Sequence, residues 1–243
     1  MTLPTRARVL VLQSSPAAHH PRHHHRLAAA LAAAGHDVTM MAQPDRSPGH
    51  VDDVPVHHLP VRRGRFLRMV TGPLTMVRAL RRGPDVIHVV CLDLLPWAVL
   101  ARRLRRRLVV LYDSNDEYGD DMLTKQWLPR GLRPVVRRLV LRLEPWLGTH
   151  LDGVTTAIPR THERFTAAGA RSVLVRNFPP APIASAAPGN GPPRHDILLG
   201  GTILDAIVPD LVATAVRVRA QRGPTRWLIV ARDHPLPAQR RLE

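Results

Sequence analysis

Short apolar runs alternate along the chain with longer segments whose apolar residues recur at helical spacing. Arg8 to Gln13 is rich in leucine and valine and ends in Ser14-Ser15-Pro16, which predicts a fully buried first strand followed by a loop. His25 to Ala34 predicts a helix, Gly35 its C-terminal cap, and His36-Asp-Val-Thr-Met-Met a second strand. Further strands are predicted near Val54 to Leu59, at Val86 to Val90 and at Leu108 to Tyr112, with a basic helix near Phe66 to Arg82 and another helix from Leu94 to Arg105. A long helix follows from Arg133 to Leu147, with Leu132, Val136, Leu139, Leu143 and Leu147 on one side and arginines over much of the rest. Val154 to Ala157 predicts a strand, Pro159 to Ala168 a helix opened by its proline, and Val173 to Arg176 a last strand.

This alternation predicts an α/β, Rossmann-like, doubly wound parallel sheet with right-handed crossovers over residues 1–178. Phe178 to Arg194 carries too much proline and glycine for packed structure, so residues 179–195 read as a linker. Beyond it, Asp196-Ile-Leu-Leu-Gly-Gly, Leu211 to Arg222 and Arg226-Trp-Leu-Ile-Val-Ala predict one β-α-β unit within 196–243. A lone unit of that size buries little apolar surface, so it reads as the start of a second domain.

Composition narrows the compartment more than the function. Arginine and lysine number 35 against 19 acidic residues, giving +16, and Lys125 is the single lysine. Such an excess favours polyanionic neighbours such as lipid head groups or nucleotide phosphates, although arginine, alanine and proline also accumulate together in high-GC genomes. Aromatic residues make up only 4%, and no reading motif interleaves with the charges, so sequence-specific nucleic-acid binding is not expected. The arginines at 102, 103, 105, 106 and 107, with those at 62, 63, 65 and 68, are read three ways: a basic face toward an anionic membrane, phosphate contacts to nucleic acid without sequence reading, or a solvated charged face. One cysteine, Cys91, excludes an internal disulfide framework and fits a reducing cytosol. No apolar run reaches the roughly 20 residues of a spanning helix. The expected location is cytoplasmic, with peripheral association at the inner membrane face.

Candidate chemistry gathers at strand ends. No G-x-G-x-x-G follows a strand and no Walker A sequence occurs, which argues against a nicotinamide, flavin or P-loop enzyme, and no cofactor is expected. His19-His-Pro-Arg-His-His-His invites a metal reading, but Pro21 disturbs the helical spacing of His20 and His24, no thiolate is near, and no metal site is assigned. Tyr112-Asp-Ser-Asn-Asp-Glu-Tyr leaves a strand with Asp113, Asp116 and Glu117 at its end, where carboxylates bind ligand hydroxyls or act as bases. His88 ends another strand and is a base candidate, while Cys91 reads as a small buried apolar residue.

Pro84-Asp-Val-Ile-His-Val-Val, Val109-Val-Leu-Tyr-Asp-Ser-Asn-Asp-Glu-Tyr, Leu151-Asp-Gly-Val-Thr-Thr-Ala-Ile-Pro and Ser172-Val-Leu-Val-Arg-Asn-Phe-Pro-Pro, in this order, resemble the N-terminal acceptor domain of retaining GT-B glycosyltransferases of the family-four type. His20-Pro-Arg with Gly35-His-Asp-Val is similar to that family's Asp-Pro-Arg and Gly-His-Glu-Val steps, which implies that Arg22 faces the acceptor cleft or the donor phosphates. Against the family's Tyr-Asp-Ser-His-Glu, Asn115 stands at the histidine and Asp116 at the glutamate. The resemblance implies acceptor positioning by Asp113, Asn115 and Asp116, a weak base in His88, and donor-phosphate contacts at Gly200 and Gly201, with Glu117 also at the binding edge.

The family's donor domain carries a basic residue after its two glycines and later an E-x₇-E pair. Here no arginine or lysine follows Gly201 until Arg217, and no E-x₇-E appears before Glu243. The expectation is therefore an incomplete donor domain. Three readings stand: transfer of a sugar from a nucleotide sugar to a sugar or lipid-linked acceptor, with independent activity in doubt; a non-catalytic protein partner of a complete transferase, which would supply the missing half; and a basic module for membrane or nucleic acid.

Overall fold

The computed structural model describes residues 6–16, 22–44, 54–61, 65–125, 127–178, 196–201 and 208–231. The linker 179–195, the histidines at 19 and 20, and the arginines at 62 and 63 lie outside them. Two compact units divide the chain, Met1–Pro179 and Pro180–Glu243.

The first unit is a seven-stranded sheet built from β1 (Arg8–Pro16), β2 (Asp37–Gln43), β3 (Val56–His58), β4 (Val86–Val89), β5 (Val109–Ser114), β6 (Gly153–Thr156) and β7 (Ser172–Leu174). Their order is β3-β2-β1-β4-β5-β6-β7 and every pairing is parallel. The chain leaves β1 toward β2 on one side and later returns to β4 on the other. The carboxyl ends of β1 and β4 thus flank the crevice where open α/β sheets bind ligands.

Strand alternation divides the core in two. Leu10, Leu12, Ile87, Val89, Val110, Tyr112 and Val154 face one side, under α2 (Arg65–Leu80), α3 (Leu95–Leu104), α5 (Arg133–Gly148) and α6 (Pro159–Ala167). Val9, Val11, Val38, Met40, Val86 and Val90 face the other, under the helix that follows β1. That helix opens differently from expectation. His23–Ala28 is a π-helical segment, with Leu27 N–H donating to Arg22 C=O at 2.9 Å, and only Ala29–Ala33 (α1) is α-helical. Gly35, at φ 89°, ends it as predicted.

Two further differences concern α4 and α5. Tyr118–Thr124 (α4) was not predicted; it packs on α5 with Gly119 close to Leu141, whose side chain would have to shift to admit a Cβ at 2.4 Å. The predicted apolar stripe of α5 is split: Leu132, Leu139 and Leu143 are exposed, Val136 is half-buried and Leu147 packs against the core, while Glu144, Pro145 and Gly148 are buried. Gly148 lets α5 approach closely, since a Cβ would meet Phe165 of α6 at 2.7 Å.

The second unit contains β8 (Ile197–Gly201), α7 (Val208–Arg222) and β9 (Trp227–Ala231), the β-α-β unit expected from sequence. β8 and β9 pair in parallel, and the Arg226 N–H donates to Asp196 Oδ2 at 2.8 Å.

Candidate acceptor-side site at the sheet switch point

Four polar residues share the sheet face covered by the π-helical segment: Gln13 on β1, His88 on β4, Asp113 on β5 and Thr155 on β6. Register explains their meeting. Val11 pairs with His88 and Asp113 with Thr155, and alternation turns each of the four toward the same side near the carboxyl edge. The helix start brings Arg22 and His23 down onto them.

Arg22 donates to both oxygens of Asp113, Nε to Oδ2 and Nη2 to Oδ1, each at 2.8 Å, and its Nη1 donates to the Val175 carbonyl at 3.1 Å. The residues are 7% and 1% exposed, so this is a buried, bidentate ion pair. Thr155 Oγ1 donates to Asp113 Oδ1 at 2.6 Å, and His23 Nε2 lies 3.5 Å from Oδ2. His23 Nδ1 faces Gln13 Oε1 at 3.2 Å, and Gln13 Nε2 donates to Ser15 Oγ at 2.8 Å. Arg26, one helical turn beyond Arg22, contacts Asn177 Oδ1. The loop after β1 is thereby fastened to β5 and to the chain leaving β7.

Burial by itself would raise the Asp113 carboxyl; hydrogen bonds from Arg22 and His23 override it and hold the group well below the usual carboxylate range. His88 behaves oppositely. Burial lowers it to about 4 against the pull of Asp113, so it is neutral near pH 7, with Nε2 3.4 Å from Thr155 Oγ1. Cys91 lies 3.8 Å from Ser15 Oγ, and burial pushes its thiol up, in keeping with an inert side chain.

The predicted site residues thus separate into two groups. Asp113, Arg22 and His88 come together beneath the surface. Arg22, expected to face phosphates or acceptor, has its guanidinium directed onto Asp113, and Asp113, expected to position acceptor, has both oxygens occupied by protein donors. Asn115, Asp116 and Glu117 lie on the loop just above. Asn115 Oδ1 accepts from Tyr118 at 3.0 Å, and Asp116 is exposed. Although the surface of Asp116 is open, the protein around its carboxyl raises its pKa, with Asp121 adding like charge, while His23 and Lys125 act in the opposite sense. Gly200 and Gly201 are the last residues of β8 in the second unit, paired with Val230 and Ala231.

Sequence reasoning missed Thr155 and Asp93, and gave no site role to Gln13, Ser14 or His23. Ser14 donates to Asp93 Oδ1 at 2.8 Å, and Arg68 lies 3.8 Å from the other oxygen, beside a cavity of about 10 Å³ that Gln43, Thr71 and Arg78 also line. That volume holds a single water. The signal that could have found Gln13 and Thr155 is alternation: each is a polar position on the otherwise apolar inner face of its strand. Among the described residues no group of three or more His, Cys, Asp or Glu is arranged to hold a metal.

A second buried carboxylate lies on the opposite sheet face. Tyr112 Oη at 3.0 Å and Ser114 Oγ at 2.7 Å both donate to Oε1 of Glu144 on α5, and Arg164 Nη2 is 3.5 Å from Oε2. Burial raises the Glu144 carboxyl, against Ser114, Arg164 and Tyr112.

The profile of the Glycosyl transferase 4-like domain matches residues 21–181, more than half of the chain, and the chain belongs to that family. Among solved structures it is similar to sucrose-phosphate synthase from Thermosynechococcus elongatus, with TM-score 0.61 and 17% identity over 93% of this chain and 71% of that one. It is also similar to HepE of Anabaena in complex with UDP and glucose, with TM-score 0.55 and 14% identity over 98% of this chain and 64% of that one. UGT89C1 of Arabidopsis thaliana complexed with UDP-L-rhamnose gives TM-score 0.54 and 14% identity over 97% of this chain and 71% of that one. A search of curated proteins by sequence gives no match. The fold is that of GT-B glycosyltransferases, with the seven-stranded parallel sheet as its N-terminal half.

Proposed function

We propose that this protein takes part in glycosyl transfer from a nucleotide sugar, with retention, and that the carboxyl edge of β1, β4 and β5 forms the acceptor side of the site. The observation carrying this reading is the buried Arg22–Asp113 pair, which fixes the loop after β1 against β5 and holds the Asn115-Asp116-Glu117 loop above a rigid base. Preorganised side chains on a locked scaffold are what acceptor positioning requires. Asp113, Arg22 and His88 are then positioning residues. Asp116 is the group placed to accept the acceptor hydroxyl proton: it is exposed, and its raised pKa makes its carboxylate the stronger base. Asn115 and Glu117 supply hydrogen bonds to sugar hydroxyls. Donor contacts at Gly200 and Gly201 belong to the same proposal. HepE was solved with UDP and glucose and UGT89C1 with UDP-L-rhamnose, and UDP-sugars are the first donors to try.

The test is calorimetry of the purified chain with UDP-, GDP- and ADP-sugars, with turnover assayed on every donor that binds. Saturable binding with transfer supports the reading, and Asp116→Asn should then lower kcat by about 10²-fold or more while leaving KM within a few fold. Donor binding without any turnover shifts the reading to a non-catalytic relative, and absence of binding across the panel rejects it.

A further inference from the structure

The outward face of α5 is apolar. Leu132, at its N-cap, and Val135, Leu139, Leu143 and Trp146 within it follow one another at spacings of three and four residues and are between 43% and 61% exposed. A surface helix ordinarily turns such a stripe inward. Here the inward positions hold Glu144, Pro145 and Gly148, Leu147 packs against the core, and Arg137 holds Asp120 of α4 at 2.6 Å, so the helix is anchored without the outward stripe.

The neighbouring helices extend this face. α3 packs beside α5 and exposes Leu100 and Leu104, and α2 packs beside α3 and exposes Leu67, Val70, Leu74 and Val77. Charge on the three helices is of one sign. α2 and α3 contain no acidic residue, and the single one in α5, Glu144, is buried. Arg138 and Arg142 stand exposed beside the α5 stripe, and Arg103, Arg105, Arg106 and Arg107 are exposed at the end of α3. Among the described residues no helix is long and apolar enough to cross a membrane.

We propose that α2, α3 and α5 form a docking surface for an anionic lipid bilayer, with the α5 stripe lying in the interface and the arginines meeting the head groups. Charge complementarity selects this occupant. On α2, α3 and α5 every exposed charge is cationic, and an apolar stripe carried on such helices matches a surface that is apolar within and negative at its rim, although Asp121 of α4 and Glu163 of α6 flank it. Trp146 at one end of the stripe suits the head-group boundary. The inference does not depend on glycosyl transfer, because it uses no residue of the acceptor-side site.

Sedimentation of the full chain with vesicles tests it. The protein should pellet with vesicles of phosphatidylcholine containing about one third phosphatidylglycerol, and at least about tenfold more weakly with pure phosphatidylcholine. Leu139→Gln with Leu143→Gln should reduce anionic-vesicle binding by about tenfold or more, since apolar burial is lost, while the melting temperature stays within a few degrees because these side chains support no core. Arg138→Glu with Arg142→Glu should reduce it as well and flatten its dependence on salt. Failure to pellet with anionic vesicles overturns the proposal, as does binding that the leucine substitutions leave unchanged. Self-association in sedimentation velocity that the same leucine pair abolishes, without vesicle binding, would assign the face to a second copy of the chain.

Discussion

On one face of β5 Asp113 is locked by Arg22, and on the other Tyr112 and Ser114 hold Glu144 of α5. Both carboxylates are 1% exposed, yet they are neutralised by different means. Asp113 receives two 2.8 Å bonds from a guanidinium and is held ionised, its pKa depressed despite burial. Glu144 receives two neutral hydroxyls on one oxygen, while its cation, Arg164, stays at 3.5 Å, and its pKa is raised. A well-aligned charge partner outweighs desolvation, whereas hydroxyls and a distant arginine do not. The charged arrangement fixes a loop at the ligand-binding edge; the more neutral one joins α5 to the sheet.

The largest effect should come from breaking the charged side. Arg22→Ala leaves Asp113 ionised, buried and without its main partner, and should cost about 3–5 kcal/mol in denaturant unfolding. Replacing the pair together, Arg22→Met with Asp113→Leu, should recover most of that loss while still impairing any transfer activity. If Arg22→Ala cost no more than a surface substitution, the loop would not be fastened by this pair, and the contrast with Glu144 would fail.

Acid sharpens the comparison further. His88 has a folded pKa of about 4, lowered from 6.5, so below pH 6.5 the unfolded chain takes up a proton that the folded one refuses. Stability should fall by roughly 3 kcal/mol between pH 6.5 and 4 and level off below for this group. Asp113, with its depressed pKa, adds a loss that begins only below the unfolded carboxylate value and continues as pH falls through its folded one. Thermal melts from pH 7 to pH 4 should show the first loss, and His88→Gln should flatten it. An unchanged slope in that variant would show that another group titrates.

Much of the doubly wound sheet was legible because parallel strands buried on both faces read as short, largely apolar, β-branched runs, as at Leu108 to Tyr112 and, with His88 as its one polar position, Val86 to Val90. Gly35 was legible as a cap for the same local reason. The outward turn of α5 was not, since periodicity shows that Leu132, Leu139 and Leu143 share a face but not which way it points. That depended on Gly148 against Phe165 and on Glu144 reaching β5, contacts between residues far apart in sequence. The site shows the same limit. Asp113, Arg22 and His88 were legible as chemistry-bearing residues at strand and loop ends, but Asp113 is 91 residues from Arg22, and sequence could not show that they would satisfy each other. Asn115, Asp116 and Glu117 leave the sheet because they follow the last paired residue of β5, and of the three only Asp116 is exposed.

Glu144→Gln is the subtlest way to test the neutral side. The raised folded pKa means that the folded protein keeps a proton the unfolded chain has already released, so stability from this group is fully present below the unfolded glutamate value. It is lost as pH rises through the folded pKa, the reverse of the behaviour at Asp113. Glutamine keeps the size of the side chain and an oxygen to accept from Tyr112 and Ser114, but cannot ionise. The variant should therefore gain stability relative to the parent as pH rises from 4 toward 8, and urea midpoints at the two ends of that range would show it. A relative loss at high pH would mean that Arg164 closes on an ionised Glu144 in solution, and both faces of β5 would then be held by charge.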